Sequence, residues 1–250
     1  MAPSVLAIAL VAILIGTILQ RISGAGVGIV VTPVMVLLMG PVTGVLLTNM
    51  TTVMSALMIM ITVWSRIDWG QFARVGPAAI LGSIPAAILV YALPGPWLQI
   101  MVGSVILFAM LTMMSTPNLP ERHGTGWAVT AGAIGGFLNT TAGVAAPAMI
   151  MYATLTRWQQ HSFAATLQPI FLTMGLVSVV TKLLIGRQDF AELPAWWVLP
   201  LILTTVFIGI RIGTVLAANL SAARARALAV TVAGIGAAAS VIRGVFTLIS

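Results

Sequence analysis

The sequence predicts an all-α, polytopic membrane protein of about ten helical segments, arranged as two inverted five-segment repeats with Gly-broken short helices. Composition is the first ground for this: 60% of the 250 residues are hydrophobic, 6% are charged, and mean hydropathy is +1.14, which leaves essentially no water-soluble portion. The second is that apolar runs suited to roughly 30 Å of hydrocarbon, about 20 residues of helix, recur from end to end. The third is a repeat. Ala25-Gly26-Val27 returns 117 residues later as Ala142-Gly143-Val144, each copy interrupting an apolar stretch and each followed by a proline, Pro33 or Pro147.

The segments fall at 4–20, 26–40, 43–64, 75–93 and 97–114, then at 126–139, 143–156, 162–185, 195–218 and 226–248. Within the first, Leu6 to Leu19 lacks a basic leading region and an obvious small-residue cleavage site, and more spans follow it, so it reads as a retained helix. Segments two, six and seven are short for a span. Two and seven begin at the repeated glycine motif and are expected to be half or broken helices. The third carries Thr48, Asn49, Thr51 and Thr52, and the eighth carries Thr166, Gln168 and Thr173. Gly82 with Ala86 in the fourth, and Gly209 with Gly213 in the ninth, have the small-xxx-small spacing that lets two helices approach closely.

The polar run from Ser115 to Gly124 supplies the turn and breaker residues of a linker. It separates a first repeat, 1–115, from a second, 126–250, with 116–125 as the connecting loop. A second echo supports the duplication: Arg66-Ile67-Asp68-Trp69 follows the third segment and Arg187-Gln188-Asp189-Phe190 the eighth, 121 residues apart. Five crossings per half is an odd number, so the second half would enter the membrane with opposite polarity.

In a ten-span topology one side holds Arg21, Arg66, Arg74, Arg122, Arg157, Arg224 and Arg226, and the other Lys182, Arg187 and Arg243. Seven against three places the richer side in the cytoplasm and both termini outside; without crossings by segments two and seven the bias falls to six against four. The seven tryptophans all lie at segment ends, where the amphipathic ring prefers the headgroup level. Lys182 and Arg243 lie near the ends of their segments and are expected to snorkel.

With no cysteine, thiolate, disulfide and Cys-type metal chemistry are excluded. Basic residues scattered singly between apolar runs form no nucleic-acid patch. Asp68, Glu121, Asp189 and Glu192 all fall in connectors, so no intramembrane carboxylate is offered as proton carrier or cation ligand, which argues against a cation substrate. His123 and His161 lie near segment ends, where a lone histidine is more often a solvated loop residue. Gly24-Ala25-Gly26-Val27-Gly28 superficially resembles a dinucleotide loop without the strand context one needs. No catalytic cluster, metal site or cofactor is expected. The expected partners are a small anionic substrate and the lipid bilayer, with no nucleic acid and with homo-oligomerisation left open.

Two helix N-termini facing each other present about half a positive charge each and free N–H donors. Backbone N–H groups, hydroxyls and amides can bind an oxyanion that needs no proton. The candidate binding residues are Gly24, Ala25, Gly26, Val27 and Gly28 at the first turn, Thr141, Ala142, Gly143 and Val144 at the second, Thr48 and Asn49 on the third segment, and Thr166 and Gln168 on the eighth. Membrane threonines usually bond back to the preceding turn, whereas Asn49 and Gln168 need a cavity or each other. Arg211, inside Phe207-Ile208-Gly209-Ile210-Arg211-Ile212-Gly213, either snorkels or lines an anion path.

At these residues the chain resembles the sulfite exporter TauE/SafE family, also called the 4-toluene sulfonate uptake permease family. Gly24 to Gly28, through Pro33, to Leu47-Thr48-Asn49-Met50 is similar to the family's first motif. Thr141-Ala142-Gly143-Val144-Ala145-Ala146-Pro147, through to Ala165-Thr166-Leu167-Gln168, is similar to its second. The resemblance spans nearly the whole chain in both halves and departs at Ala145 and Ala146, where family members often have glycine, and at Asn49. It implies a bacterial inner-membrane transporter, often an exporter, of small sulfur-bearing anions such as sulfite, sulfoacetate or other sulfonates. A passive anion channel and a non-transporting assembly subunit are the alternatives.

Overall fold

The computed structural model describes residues 2–114, 120–185 and 196–249; the regular structure among them is helical throughout. The helices are α1 (Pro3–Ser23), α2 (Val27–Met39), α3 (Pro41–Val63), α4 (Trp69–Val75), α5 (Ala79–Ala92), α6 (Gly95–Met114), α7 (Thr125–Ala142), α8 (Ala146–Thr156), α9 (Gln160–Ile185), α10 (Val198–Leu216) and α11 (Ala222–Ile249). Seven stretches are long and apolar enough to cross a bilayer: α1, α3 with the 3₁₀ turn that extends it to Arg66, α4 joined to α5, α6, α9, α10 and α11. This is a multi-pass membrane protein.

Segments two and seven are short, as expected. α2 has 13 residues and α8 has 11, about 20 and 16 Å of helix. Segment six is longer than its hydropathy suggests, because Thr140, Thr141 and Ala142 stay in α7 and the helix ends only where Gly143 turns left-handed at φ 68°. The fourth segment starts earlier than expected, at Trp69. Asp68 caps α4 there by accepting a hydrogen bond from the Gln71 N–H at 2.9 Å. Residues 115–119 of the polar linker, and the Arg187 to Phe190 echo with Asp189 and Glu192, lie outside the described residues.

Small residues set the helix pairings. Gly209 and Gly213 bring α10 onto α1, against Thr17 and Arg21, and Arg21 Nε donates to Thr214 Oγ1 at 2.9 Å. Gly82 and Gly136 bring α5 onto α7, and Gly132 brings α7 onto the end of α4 at Val75, so closely that a Cβ on any of them would enter a facing backbone carbonyl. α10 with α1 and α5 with α7 run parallel. α3 and α9 cross antiparallel, with Gly175 against Val53 and Asn49, and α6 and α11 run antiparallel, with Gly103 against Ala237 and Gly244 against Pro96. α2 doubles back along α1, where Val31 meets Gly16 and Gly26 meets Gln20. The ten segments therefore alternate in direction. Arg66, Arg74, Arg122 and Arg157 gather at one end of the bundle: Asp68 N–H donates to Thr166 Oγ1 at 2.9 Å, Tyr152 OH to Gln71 Oε1 at 3.0 Å, and Arg122 N–H to the Leu155 carbonyl at 2.9 Å.

Candidate functional site

Each short helix follows a glycine break. Gly24, at φ 86°, closes α1 and donates its N–H to the Gln20 carbonyl at 2.8 Å; Gly143 closes α7 and donates to the Asn139 carbonyl at 2.8 Å. Two residues follow each glycine before the next helix begins, Ala25-Gly26 before α2 and Val144-Ala145 before α8. Glycine suits both positions because, with no Cβ, it enters the left-handed region without strain. The structural counterparts are thus Gly24 and Gly143, 119 residues apart, whereas sequence similarity aligns Gly26 with Gly143.

The two breaks meet. A Cβ on Gly28 would strike the Gly143 carbonyl, and one on Gly143 would strike Thr32 Oγ1. Beside this contact is a cavity of about 20 Å³, bounded by Gln20 and Ala25 to Ile29 from the first break, Asn139 and Gly143 to Ala146 from the second, and Thr52 and Phe171 from the crossing helices. That is space for about one water molecule. Thr52 lies eleven residues from either end of α3, and Phe171 eleven from the start of α9, so the cavity is at mid-depth, about 16 Å along each helix. The N-termini of α2 and α8 point here without a side-chain cap, and the first N–H groups of a helix have no partner within it.

A matched pair of amide contacts holds the breaks to the crossing helices. Gln20 Nε2 donates to Gln168 Oε1 at 3.1 Å, and Asn139 Nδ2 donates to Asn49 Oδ1 at 3.0 Å. Gln20 and Asn139 each stand four residues before the left-handed glycine, and both pairs of counterparts, Gln20 with Asn139 and Asn49 with Gln168, are 119 residues apart. The receiving amides then return to the break: Gln168 Nε2 donates to the Gly24 carbonyl at 3.3 Å, and Asn49 Nδ2 to the Asn139 carbonyl at 3.2 Å. Ser55 Oγ donates to Gln20 Oε1 at 3.1 Å, and Ser178 Oγ accepts from Asn49 Nδ2 at 2.8 Å.

Among the residues singled out by sequence, Ala25, Gly26, Val27, Gly28, Gly143 and Val144 line the cavity, and Gly24 and Ala142 are buried beside it. Asn49 and Gln168 satisfy their amides against the breaks. The hydroxyls of Thr48 and Thr141 bond back to Gly44 and Phe137 at 2.9 Å each, although the Thr48 methyl abuts Gly143. Thr166 bonds to Ser162 and to Asp68 N–H at the end of the bundle. Arg211 is exposed on α10, its guanidinium 5.2 Å from the centre of the Phe207 ring, and the structure does not bring it to the cavity.

Sequence reasoning missed Gln20 and Asn139 as site residues. The signal was present: each stands one helical turn before a glycine that ends its helix. Thr32 and Thr140 hydroxyls are buried without a hydrogen-bond partner among the described residues. Lys182 corrects an expectation. It does not snorkel: it is wholly buried, and Tyr91 of α5, whose hydroxyl donates to the Lys182 carbonyl at 3.0 Å, packs over that end of α9. Arg243 does lie at the surface, donating to the Leu37 carbonyl at the end of α2.

Helices that alternate in direction, with two uncapped short helices meeting at mid-depth, have the form of the broken-helix class of membrane transporters. A family model described as sulfite exporter TauE/SafE matches residues 8–240. The chain belongs to that family of exporter-type membrane transporters. No curated protein and no solved structure matches it.

Proposed function

We propose that the protein is a carrier for a small sulfur-bearing oxyanion, sulfite or an organosulfonate, held between the N-termini of α2 and α8. The observation that carries this reading is the meeting of two uncapped helix ends at mid-depth, beside amides and hydroxyls and away from any carboxylate among the described residues. The backbone at Gly26 to Gly28 and Gly143 to Ala146, with Gln20, Asn139 and Thr52, would contact the anion; Asn49, Gln168 and Thr48 would position those groups. Thr32 would offer its free hydroxyl at the same contact.

Residues 1–115 and 126–250 are, in this reading, inverted repeats joined by 116–125. Supporting it are the exchanged pairings, α1 with α10 and α7 with α5, the antiparallel crossings of α3 with α9 and α6 with α11, and the shared spacing of 119. A cavity with room for one water is too small for the substrate, so this is an occluded arrangement, and solute enters when the breaks part. The arginine-rich end would face the cytoplasm of a bacterial inner membrane, and a negative-inside potential would favour export.

Thermal unfolding of the purified protein with sulfite, sulfoacetate, taurine, thiosulfate, sulfate, acetate and chloride tests the reading. Ligand at 100 times its Kd adds about 2.7 kcal/mol of stability. Stabilisation confined to one sulfur oxyanion or sulfonate is the expected result, and Asn49→Ala combined with Gln168→Ala should weaken transport in proteoliposomes. Unchanged kinetics in that double variant would sink the site.

A further inference from the structure

Resting on the transport reading, we propose that Lys182 is a second anion-binding residue, placed between the paired breaks and the end of the bundle where α3 begins. Its side chain is fully buried and its Nζ has no hydrogen-bond partner among the described residues. Among those residues, an amine in that position has neither an opposing charge nor a polar partner, an arrangement that an incoming anion relieves.

Its place on α9 ties it to the cavity. Phe171, Ser178 and Lys182 follow one another by seven and four residues, the spacing of one helix face. Phe171 borders the cavity, Ser178 accepts from Asn49, and Asn49 is paired with Asn139, which borders the cavity again. Lys182 comes one turn beyond Ser178, about 6 Å further along the helix. The other groups that could answer its charge stand elsewhere among the described residues: Asp68 caps α4 at the opposite end, and Glu121 is 2.8 Å from His123. Tyr91 engages the Lys182 carbonyl rather than the amine. A compact ammonium with three donors suits an oxyanion that passes and leaves, since it makes no bidentate clamp.

The test uses purified full-length protein with sodium sulfite as the probe and sodium chloride at matched ionic strength as the control. Lys182→Met should melt at the same temperature as wild type or higher, because it removes a buried charge without a partner, yet bind sulfite at least about ten-fold more weakly. Lys182→Arg, which keeps the charge, should lose less. Full sulfite affinity in Lys182→Met overturns this inference and leaves the transport reading standing. An equal loss in both variants together with a lower melting point marks damage to packing, and that also overturns it. A wild-type protein that sulfite does not stabilise removes the transport reading itself, and this inference with it.

Discussion

At the first break Gln20 reaches Gln168, Gly24 turns the chain, and three glycines within five residues leave the backbone bare; at the second, Asn139 reaches Asn49, Gly143 turns the chain, and Ala145, Ala146 and Pro147 follow. Both turn at a left-handed glycine, but the residue that leads into the short helix differs, Gly26 at φ −166° and Ala145 at φ −95°, and so do the side chains. One amide a turn before a left-handed glycine suffices to stop the helix and tie it to a crossing helix, whether the side chain is Gln or Asn. The surroundings differ more. α2 is walled by α1, α3 and α11, while α8 packs on α7 and α6 and borders an apolar groove of about 660 Å³ whose wall includes Pro147, Met151, Trp127 and Phe108. The second break is the less supported of the two.

The most damaging way to break this comparison is at the point where the breaks touch. Gly143→Ala puts a Cβ both at positive φ and onto Thr32, and Gly28→Ala puts one onto the Gly143 carbonyl. Gly143→Ala combines left-handed strain of about 1–2 kcal/mol with a contact that the Thr32 side chain can relieve by changing rotamer, whereas the overpacking of about 1–3 kcal/mol in Gly28→Ala falls on a main chain that cannot yield, so both should lower stability in chemical denaturation by similar amounts, and sulfite stabilisation should vanish in both. The amide pairs come next. Asn49→Ala leaves Asn139 Nδ2 without its acceptor and Gln168→Ala leaves Gln20 Nε2 without its own, and double-mutant cycles on Asn49 with Asn139 and on Gln20 with Gln168 should each give a coupling of about 0.6–1.7 kcal/mol. A coupling near zero in one pair alone would show that the breaks are not equivalent in energy. Hydrogen exchange sharpens the contrast in support: amides of α8 should exchange on the order of ten-fold faster than those of α2, since local opening follows the packing that must be lost. The smallest effect belongs to Arg211→Gln, a surface change expected to stay within about 0.5 kcal/mol with sulfite affinity intact.

Much of the fold was legible in the chain. Hydropathy located the segments, the glycine motifs located both breaks, and the small-xxx-small pairs Gly82/Ala86 and Gly209/Gly213 lie in the helices that pack on α7 and α1. What was not legible has physical reasons. Hydropathy penalises Thr140 and Thr141, yet the Thr141 hydroxyl bonds back to the Phe137 carbonyl within the helix, so α7 outran its expected end. Alignment by residue type favoured Ala-Gly-Val over the conformational match of Gly24 with Gly143, and with that slip of two residues the correspondence of Gln20 with Asn139 was lost. Lys182 looked free to reach the interface because spacing along one helix does not reveal that another helix covers its end.

Gly28 lies against the Gly143 carbonyl with no side chain between them. Side chains can yield by changing rotamer, but two main chains in contact have no such slack, so neither break can press toward the other without moving it. The two half-helices, which run toward opposite ends of the bundle, are therefore geared to one another at their tips. In the proposed carrier, a solute lodged between them would bear on both at once, and the ends of the molecule would not respond as independent doors.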